Sequence, residues 1–268
     1  MFDCGYRSDP LWWPSVQFSG QTLDALILAN LDEDHVADFR DMRKNVGIGS
    51  VWCNDSITAP RLRTMKPDGM QDGVKAVYEY LLSPVALNLA VDLSPIKVTL
   101  FRNQYGAFTD TNNLSLLTFV EYGQFCIVFP GDLEIAGWKL LVRDPMVAAL
   151  LARTNLFVTS HHGRETGCSD EVFDICRPNA FIISDKEMVY DSQATAAWYR
   201  QHAHGMAKIL TSVLDVPETR YVFTTRNDGC LSIDVGLTGS FVLKPKSDRQ
   251  IQPFGLGLSG FAGVRRLG

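Results

Sequence analysis

The sequence predicts an α/β fold with its functional site at the carboxyl ends of strands. Two observations carry that expectation. Apolar runs of strand character alternate with segments of helical spacing along the chain. Three of those runs end in polar clusters, and in open α/β sheets ligands collect where strands end. The clusters are Asn30-Leu31-Asp32-Glu33-Asp34-His35, Pro130-Gly131-Asp132 and Ser160-His161-His162-Gly163.

Taken in order, Leu23 to Ala29 is a nearly continuous apolar run, suited to a strand buried on both faces. A helix is expected over Val36 to Lys44, with Asp34 available as its N-cap. Val51-Trp52-Cys53 reads as a second strand and residues 55–69 as turn and loop. Helical spacing returns at Val74, Val77, Tyr78, Leu81 and Leu82, and Pro84 closes that stretch. Strands follow at Lys97 to Phe101, Ser115 to Val120 and Phe125 to Phe129. The last two are joined as a hairpin through Tyr122-Gly123-Gln124. Gly137 to Arg153 is helical with a break at Pro145. The theme then repeats: strand Leu156 to Thr159, helix Ser169 to Cys176, strand Ala180 to Ser184, helix Ala194 to His202. Strands Tyr221 to Thr225 and Leu231 to Val235, joined by Asn227-Asp228-Gly229, complete a single domain over residues 1–243. Residues 244–268 form a glycine-rich tail, expected to be poorly ordered or an interaction arm.

Composition limits the function classes. The 268 residues are 46% apolar and 21% charged, which excludes a disordered chain, a collagen-like chain and a small disulfide scaffold. A net charge of −5 argues against a broad nucleic-acid surface, although a local basic pocket is compatible with it. The six cysteines form no C-x-x-C pair, and most sit among apolar residues, as reduced thiols of a cytosolic protein do. There is no apolar run of about eighteen residues, and MFDCGYRSDP lacks the apolar core of a signal peptide. A soluble cytoplasmic protein with no membrane contact is expected.

Carboxylates and imidazoles are ligands of Zn, Mn and Fe, and strand ends bring distant segments together. An aspartate after a strand is by itself usually a turn or cap residue. Three such clusters at three strand ends favour a metal site. The motifs Asn30-x-Asp32-x-Asp34-His35, Asn112-Asn113-Leu114-Ser115, Pro130-Gly131-Asp132 and His161-His162-Gly163-Arg164 resemble, in order and spacing, those of the metallo-β-lactamase fold. The branch they resemble is the one related to the hydrolase domain of the competence protein ComEC. Its usual pattern is His-x-Asp-x-Asp-His, Asn-x-x-Ser, Thr-Gly-Asp and His-His-Gly-Ser.

The resemblance implies a four-layer αβ/βα sandwich with the site in the cleft between two sheets. It implies Asp34, His35 and His161 at one metal position, Asp132 bridging, and Asn30, Asp32 and Asn112 at a second. One firm ion, Zn or Mn, and a weak or absent second are expected, because the second position offers only oxygen donors. The implied chemistry is hydrolysis by metal-activated water, with Asp34 or Asp132 orienting that water and His162 as general acid or structural neighbour. Arg164 and Arg226 are candidate phosphate contacts. A small phosphodiester or single-stranded nucleic acid is the favoured substrate. A non-catalytic binding module and a hydrolase of a carbonyl ester, thioester or lactone are the alternatives.

Three departures stand out: Asn30 for the usual His, Arg164 for the usual Ser, and an Asp3-Cys4-Gly5 turn with no strands ahead of it. The last leaves an open sheet edge, to be covered by upstream sequence, a homodimer or other partner, or the tail. Asp185 and Trp12-Trp13-Pro14 are further features near the expected cleft.

Overall fold

The computed structural model describes residues 1–8, 11–83, 88–185, 193–207 and 218–246. The predicted tail and Pro84 fall largely outside this set. Elements run β1 (Arg7–Ser8), β2 (Leu11–Trp12), α1 (Pro14–Gln17), β3 (Thr22–Ile27), α2 (Glu33–Val36), α3 (Phe39–Asn45), β4 (Gly47–Trp52), α4 (Ala59–Met65) and α5 (Asp72–Leu82). Then come β5 (Ile96–Arg102), β6 (Leu116–Tyr122), β7 (Phe125–Phe129), α6 (Ile135–Leu141), α7 (Pro145–Leu151), β8 (Leu156–Val158), α8 (Asp170–Phe173) and β9 (Ala180–Ile183). The chain continues through α9 (Ala196–Gln201), β10 (Met206–Ala207), β11 (Thr219–Arg220), β12 (Val222–Thr224), α10 (Thr225–Asp228), β13 (Cys230–Val235) and β14 (Phe241–Lys246). No helix among the described residues is long and apolar enough to cross a membrane.

The chain is a mixed α/β protein. Its principal sheet has six strands in the order β12-β9-β8-β7-β6-β5. β5, β6 and β7 are antiparallel, and β7, β8, β9 and β12 are parallel. Strict alternation splits its side chains between two faces. Cys126, Val128, Phe157, Phe181 and Ile183 meet Trp138, Leu141, Val147, Leu151 and Tyr199 on the helical side. Phe125, Ile127, Leu156, Ala180 and Ile182 meet Phe223, Leu231, Ile233 and Leu243 on the other, where the β13–β14 hairpin packs. Burial on both faces explains the continuous apolar runs.

β3 and β4 form a separate parallel pair. One of its faces, through Ala25, Ile27 and Trp52, packs with Leu116, Val98 and Leu100 of β5 and β6. The other face, through Leu26, Leu28 and Val51, packs with Phe39, Met42, Val74 and Val77 of α3 and α5. The two sheets touch directly at one corner, where the Leu116 amide donates to the Ala29 carbonyl at 2.7 Å. Phe2 stacks on Phe129 beside it, at 4.1 Å between ring centroids.

Several expectations are corrected. Residues 55–69 contain α4, since Pro60 at its first turn favours helix initiation and Leu62 buries against the core. Asp34 is not a cap but lies inside α2, and Asp32 occupies the N-cap position without a side-chain capping bond. The chain's own first residues pair along β3. The Met1 ammonium donates to Ala25 O at 2.9 Å, Ile27 N to Met1 O at 2.9 Å and Asp3 N to Ile27 O at 2.7 Å. β13 pairs with β14 rather than extending from β12, so the boundary set at residue 243 falls inside a strand. The break at Pro145 is as expected: Asp144 caps α7 by accepting from Met146 N at 2.8 Å.

Candidate metal centre

Four segments converge at the carboxyl ends of β3, β7, β8 and β9. The turn after β7 places Asp132. Gly131 there has φ 57°, and a Cβ on it would meet Ser115 Cβ at 3.0 Å and Ala29 O at 3.2 Å. Only glycine fits both the backbone and the space. The Asp132 amide donates to Ser115 Oγ at 3.0 Å, which fixes the Asp132 turn against the start of β6. The turn after β8 is tied to it, since His161 N donates to Gly131 O at 3.1 Å.

Asp34, His35, Asp132 and His162 bring one ligand atom each to within 4.8 Å of one another. His35 Nε2 lies 3.2 Å from Asp132 Oδ1 and 4.0 Å from Asp34 Oδ1. His162 Nε2 lies 3.2 Å from Asp34 Oδ2 and 3.7 Å from Asp132 Oδ1. Both Nε2 atoms are buried and face these carboxylates. His35 and Asp132 are 5% and 4% exposed, whereas the Asp34 side chain is 53% exposed and opens the centre to solvent.

Each imidazole is oriented from behind. His35 Nδ1 lies 2.9 Å from Asp3 Oδ2, and Asp3 Oδ1 accepts from Ala29 N at 2.7 Å. His162 Nδ1 lies 2.8 Å from the Ser184 carbonyl. A carbonyl only accepts, so that nitrogen carries the proton and Nε2 turns toward the carboxylates. This is the arrangement by which proteins present imidazole to a metal. Gly5 lets the Asp3 turn approach, since a Cβ there would stand 1.9 Å from Asp34 O.

The charges interlock. Burial works against protonated His35, but the Asp3 and Asp132 carboxylates outweigh it and raise the ring well above the ordinary 6.5. Burial likewise opposes charge on His162, and its contact with Asp34, with Asp132 behind, raises it. The bond from His162, with His35 adding to it, holds Asp34 far below the usual carboxylate range. Burial disfavours the Asp132 anion, yet contact with His35 leaves its carboxyl lowered. Two imidazolium protons therefore do the work of a cation among these carboxylates.

This donor set fits a metal ion. Two nitrogen and two carboxylate donors, each offering a ligand atom within 4.8 Å of the others, suit Zn or Mn.

The adjacent histidines exchange the places expected of them. His162, not His161, joins the cluster. His161 Nδ1 lies 2.8 Å from Thr166 Oγ1 and 3.3 Å from Glu134 Oε1, and its Nε2 lies 3.3 Å from Arg164. Burial, with Arg164 adding to it, keeps its ring less basic than usual. The cause is backbone: His161, His162 and Gly163 all have positive φ, at 49°, 53° and 77°. This left-handed turn points the second ring at Asp132. It costs on the order of 1–3 kcal/mol for each non-glycine residue. The Trp138 indole donating to Ser160 Oγ and the Thr195 hydroxyl donating to Gly163 O hold it in place.

Asp32 is likewise outside the cluster. Its carboxylate is paired with the Lys66 ammonium and accepts from Thr111 Oγ1 at 2.8 and 2.9 Å. Asn30 accepts from Asp32 N at 3.0 Å and donates to Asn112 Oδ1 at 3.2 Å. Asn112 donates to Glu134 Oε1 at 3.2 Å. Asn30 and Asn112 thus stand together as expected, but within a closed hydrogen-bond network. Arg164 leans on His161 with its Nε buried and unbonded. Arg226 is held by Asp185, with NH2 at 3.4 Å from Oδ2 and the backbone amide at 3.2 Å from Oδ1. Burial raises the Asp185 carboxyl, and His162 is near enough to oppose that shift. Trp13 stacks on Tyr6 at 4.1 Å, and Tyr6 lines a cleft of about 310 Å³ with Glu33, Asp34, Ala37 and Gln71.

Asp3, Ser184, Glu134 and Lys66 were not foreseen as parts of the site. The Asp-x-Gly turn was the only sequence signal for any of them. No family model matches the chain, and no curated protein matches it either.

Proposed function

We propose that the chain is a metal-dependent hydrolase acting on a phosphodiester, built as a divergent metallo-β-lactamase-type sandwich of the ComEC-related branch. The observation that carries this reading is the convergence of one ligand atom each from Asp34, His35, Asp132 and His162 to within 4.8 Å of one another. The packing of β3 and β4 on β5 and β6, with helices outside both sheets, supports the four-layer arrangement.

Asp34, His35, Asp132 and His162 would hold one Zn or Mn ion, which supplies a water of lowered pKa and polarises the scissile centre. Asp3 and Ser184 keep the two rings in the tautomer that leaves Nε2 free once its proton is lost. Asp34 is the most exposed of the four and is the carboxylate for orienting the attacking water. With His162 among the ligands, the general-acid role once open to it is withdrawn. Arg164, with its planar fork beside His161, suits a phosphate oxygen. Arg226 is already committed to Asp185 and is not proposed as a substrate contact. The cleft beside Asp34 admits a small substrate, and the negative net charge favours a small or single-stranded one over duplex nucleic acid.

A metal-binding module without turnover is the second reading, favoured by the Asp32–Lys66 pair where the resemblance calls for a second ion. Protein loaded with Mn or Zn should hydrolyse bis-(p-nitrophenyl) phosphate faster than p-nitrophenyl acetate or a thioester. Stoichiometric metal with no hydrolysis of any of them would select the second reading, and faster ester hydrolysis would reassign the substrate.

A further inference from the structure

We infer that Lys66 takes the place of a second cation, so that the centre is built for one metal ion and carries its neighbouring positive charge as part of the chain. The inference rests on the reading of Asp34, His35, Asp132 and His162 as the ligands of that one ion. The resemblance assigns a second ion to Asn30, Asp32 and Asn112, sharing Asp132. Each of those three oxygen donors is already engaged. Asp32 holds the Lys66 ammonium and the Thr111 hydroxyl, Asn30 Oδ1 holds the Asp32 amide, and Asn112 Oδ1 holds the Asn30 amide. Asp32 is the only charged group of the three, and the only strong ligand for a hard cation.

Lys66 is delivered by the fold rather than by a loose side chain. It is the C-cap of α4, its amide bonded to Arg63 O at 3.3 Å. Its side chain is 23% exposed, and that of Asp32 28%. A half-buried ion pair is only weakly screened by solvent. A divalent ion arriving there would have to displace the ammonium and also meet its repulsion. The ammonium thus balances Asp32 permanently, whatever the metal supply.

The test counts ions. Apo chain is equilibrated with excess Mn2+, and bound metal per chain is measured for wild type, Lys66→Met and Lys66→Arg, with circular dichroism confirming the fold of each. Wild type and Lys66→Arg should each bind one ion. Lys66→Met should bind two, the second at least tenfold tighter than any second binding by wild type. Two ions in wild type, or one in a folded Lys66→Met, would overturn the inference while leaving the four-ligand site intact. No ion in wild type would overturn both this inference and the ligand assignment beneath it.

Discussion

Two polar regions lie side by side at the same strand ends and are finished differently. In the Asn30, Asp32, Asn112, Glu134 and His161 network, each side chain has found another: amide on amide, ammonium on carboxylate, imidazole on hydroxyl. In the Asp34, His35, Asp132 and His162 cluster, both rings are fixed from behind, and both inward nitrogens meet only carboxylate oxygens, each at 3.2 Å from its nearer one. Such pairs hold by ring protons, which a metal ion displaces when it binds the same nitrogens. Two rings and two carboxylates aimed at one point mark a place for a metal, whereas a saturated network marks structure. The number of acidic and imidazole groups does not separate the regions; the partners they meet do.

That contrast breaks most visibly at Asp132. Asp132→Asn should reduce metal-dependent hydrolysis to background and remove tight metal binding. A simple picture of crowded carboxylates would make the metal-free variant more stable than the parent. The interleaved imidazoles reverse that expectation, because His35 loses one of its two anionic partners. The metal-free variant should therefore be less stable by about 1–3 kcal/mol, as read from urea denaturation. A more stable metal-free variant would mean that the carboxylates repel more than the rings compensate.

Asp3 sharpens the same point one step away from the cluster. Asp3→Asn keeps the turn but weakens the hold on His35 Nδ1. Outer partners of this kind are worth about 10–100-fold in metal affinity or activity, and isothermal titration with Zn or Mn should show a loss in that range. Glu134→Gln, in the saturated network, should leave metal affinity within a few-fold while costing about 1 kcal/mol of stability. Equal effects of the two variants would erase the distinction between the regions.

The pH response follows from the same rings. His35 and His162 are raised in the folded, metal-free chain above the free-imidazole value of 6.5. Their contribution to stability is present in full below 6.5 and is lost as the pH rises through the folded values. Asp34 and Asp132 are lowered below 3.8, so their contribution is present above 3.8 and lost as the pH falls through their folded values. Metal-free protein should be most stable between about pH 4 and 6.5. Metal binding must expel the ring protons, so affinity should rise with pH over the range where that stability falls. Thermal melts with chelator and with Mn, across pH, read both trends at once. Parallel trends would show that the ion does not replace the protons.

Much of the fold was legible because its strands are buried on both faces and read as apolar runs, and because Pro145 and Gly123 mark their own turns. The α4 segment was not, since Pro60 and a single buried Leu62 resemble loop punctuation. The clusters at the strand ends were legible by residue type. Which of His161 and His162 joins the cluster was not, because neighbouring identical residues differ only through backbone torsions that sequence does not display. Lys66 lies 34 residues from its partner Asp32, and no motif connects them. Asp3 was visible as a turn, but its bond to His35 needed the third dimension.

Those adjacent histidines provide the most direct test. Metal content should be measured for wild type, His161→Ala and His162→Ala, each purified without chelator and equilibrated with Mn or Zn. The four-residue centre predicts about one ion per chain in wild type and in His161→Ala, and loss of tight binding in His162→Ala. Retention of the ion in His162→Ala together with its loss in His161→Ala would contradict the account and return the ligand role to His161.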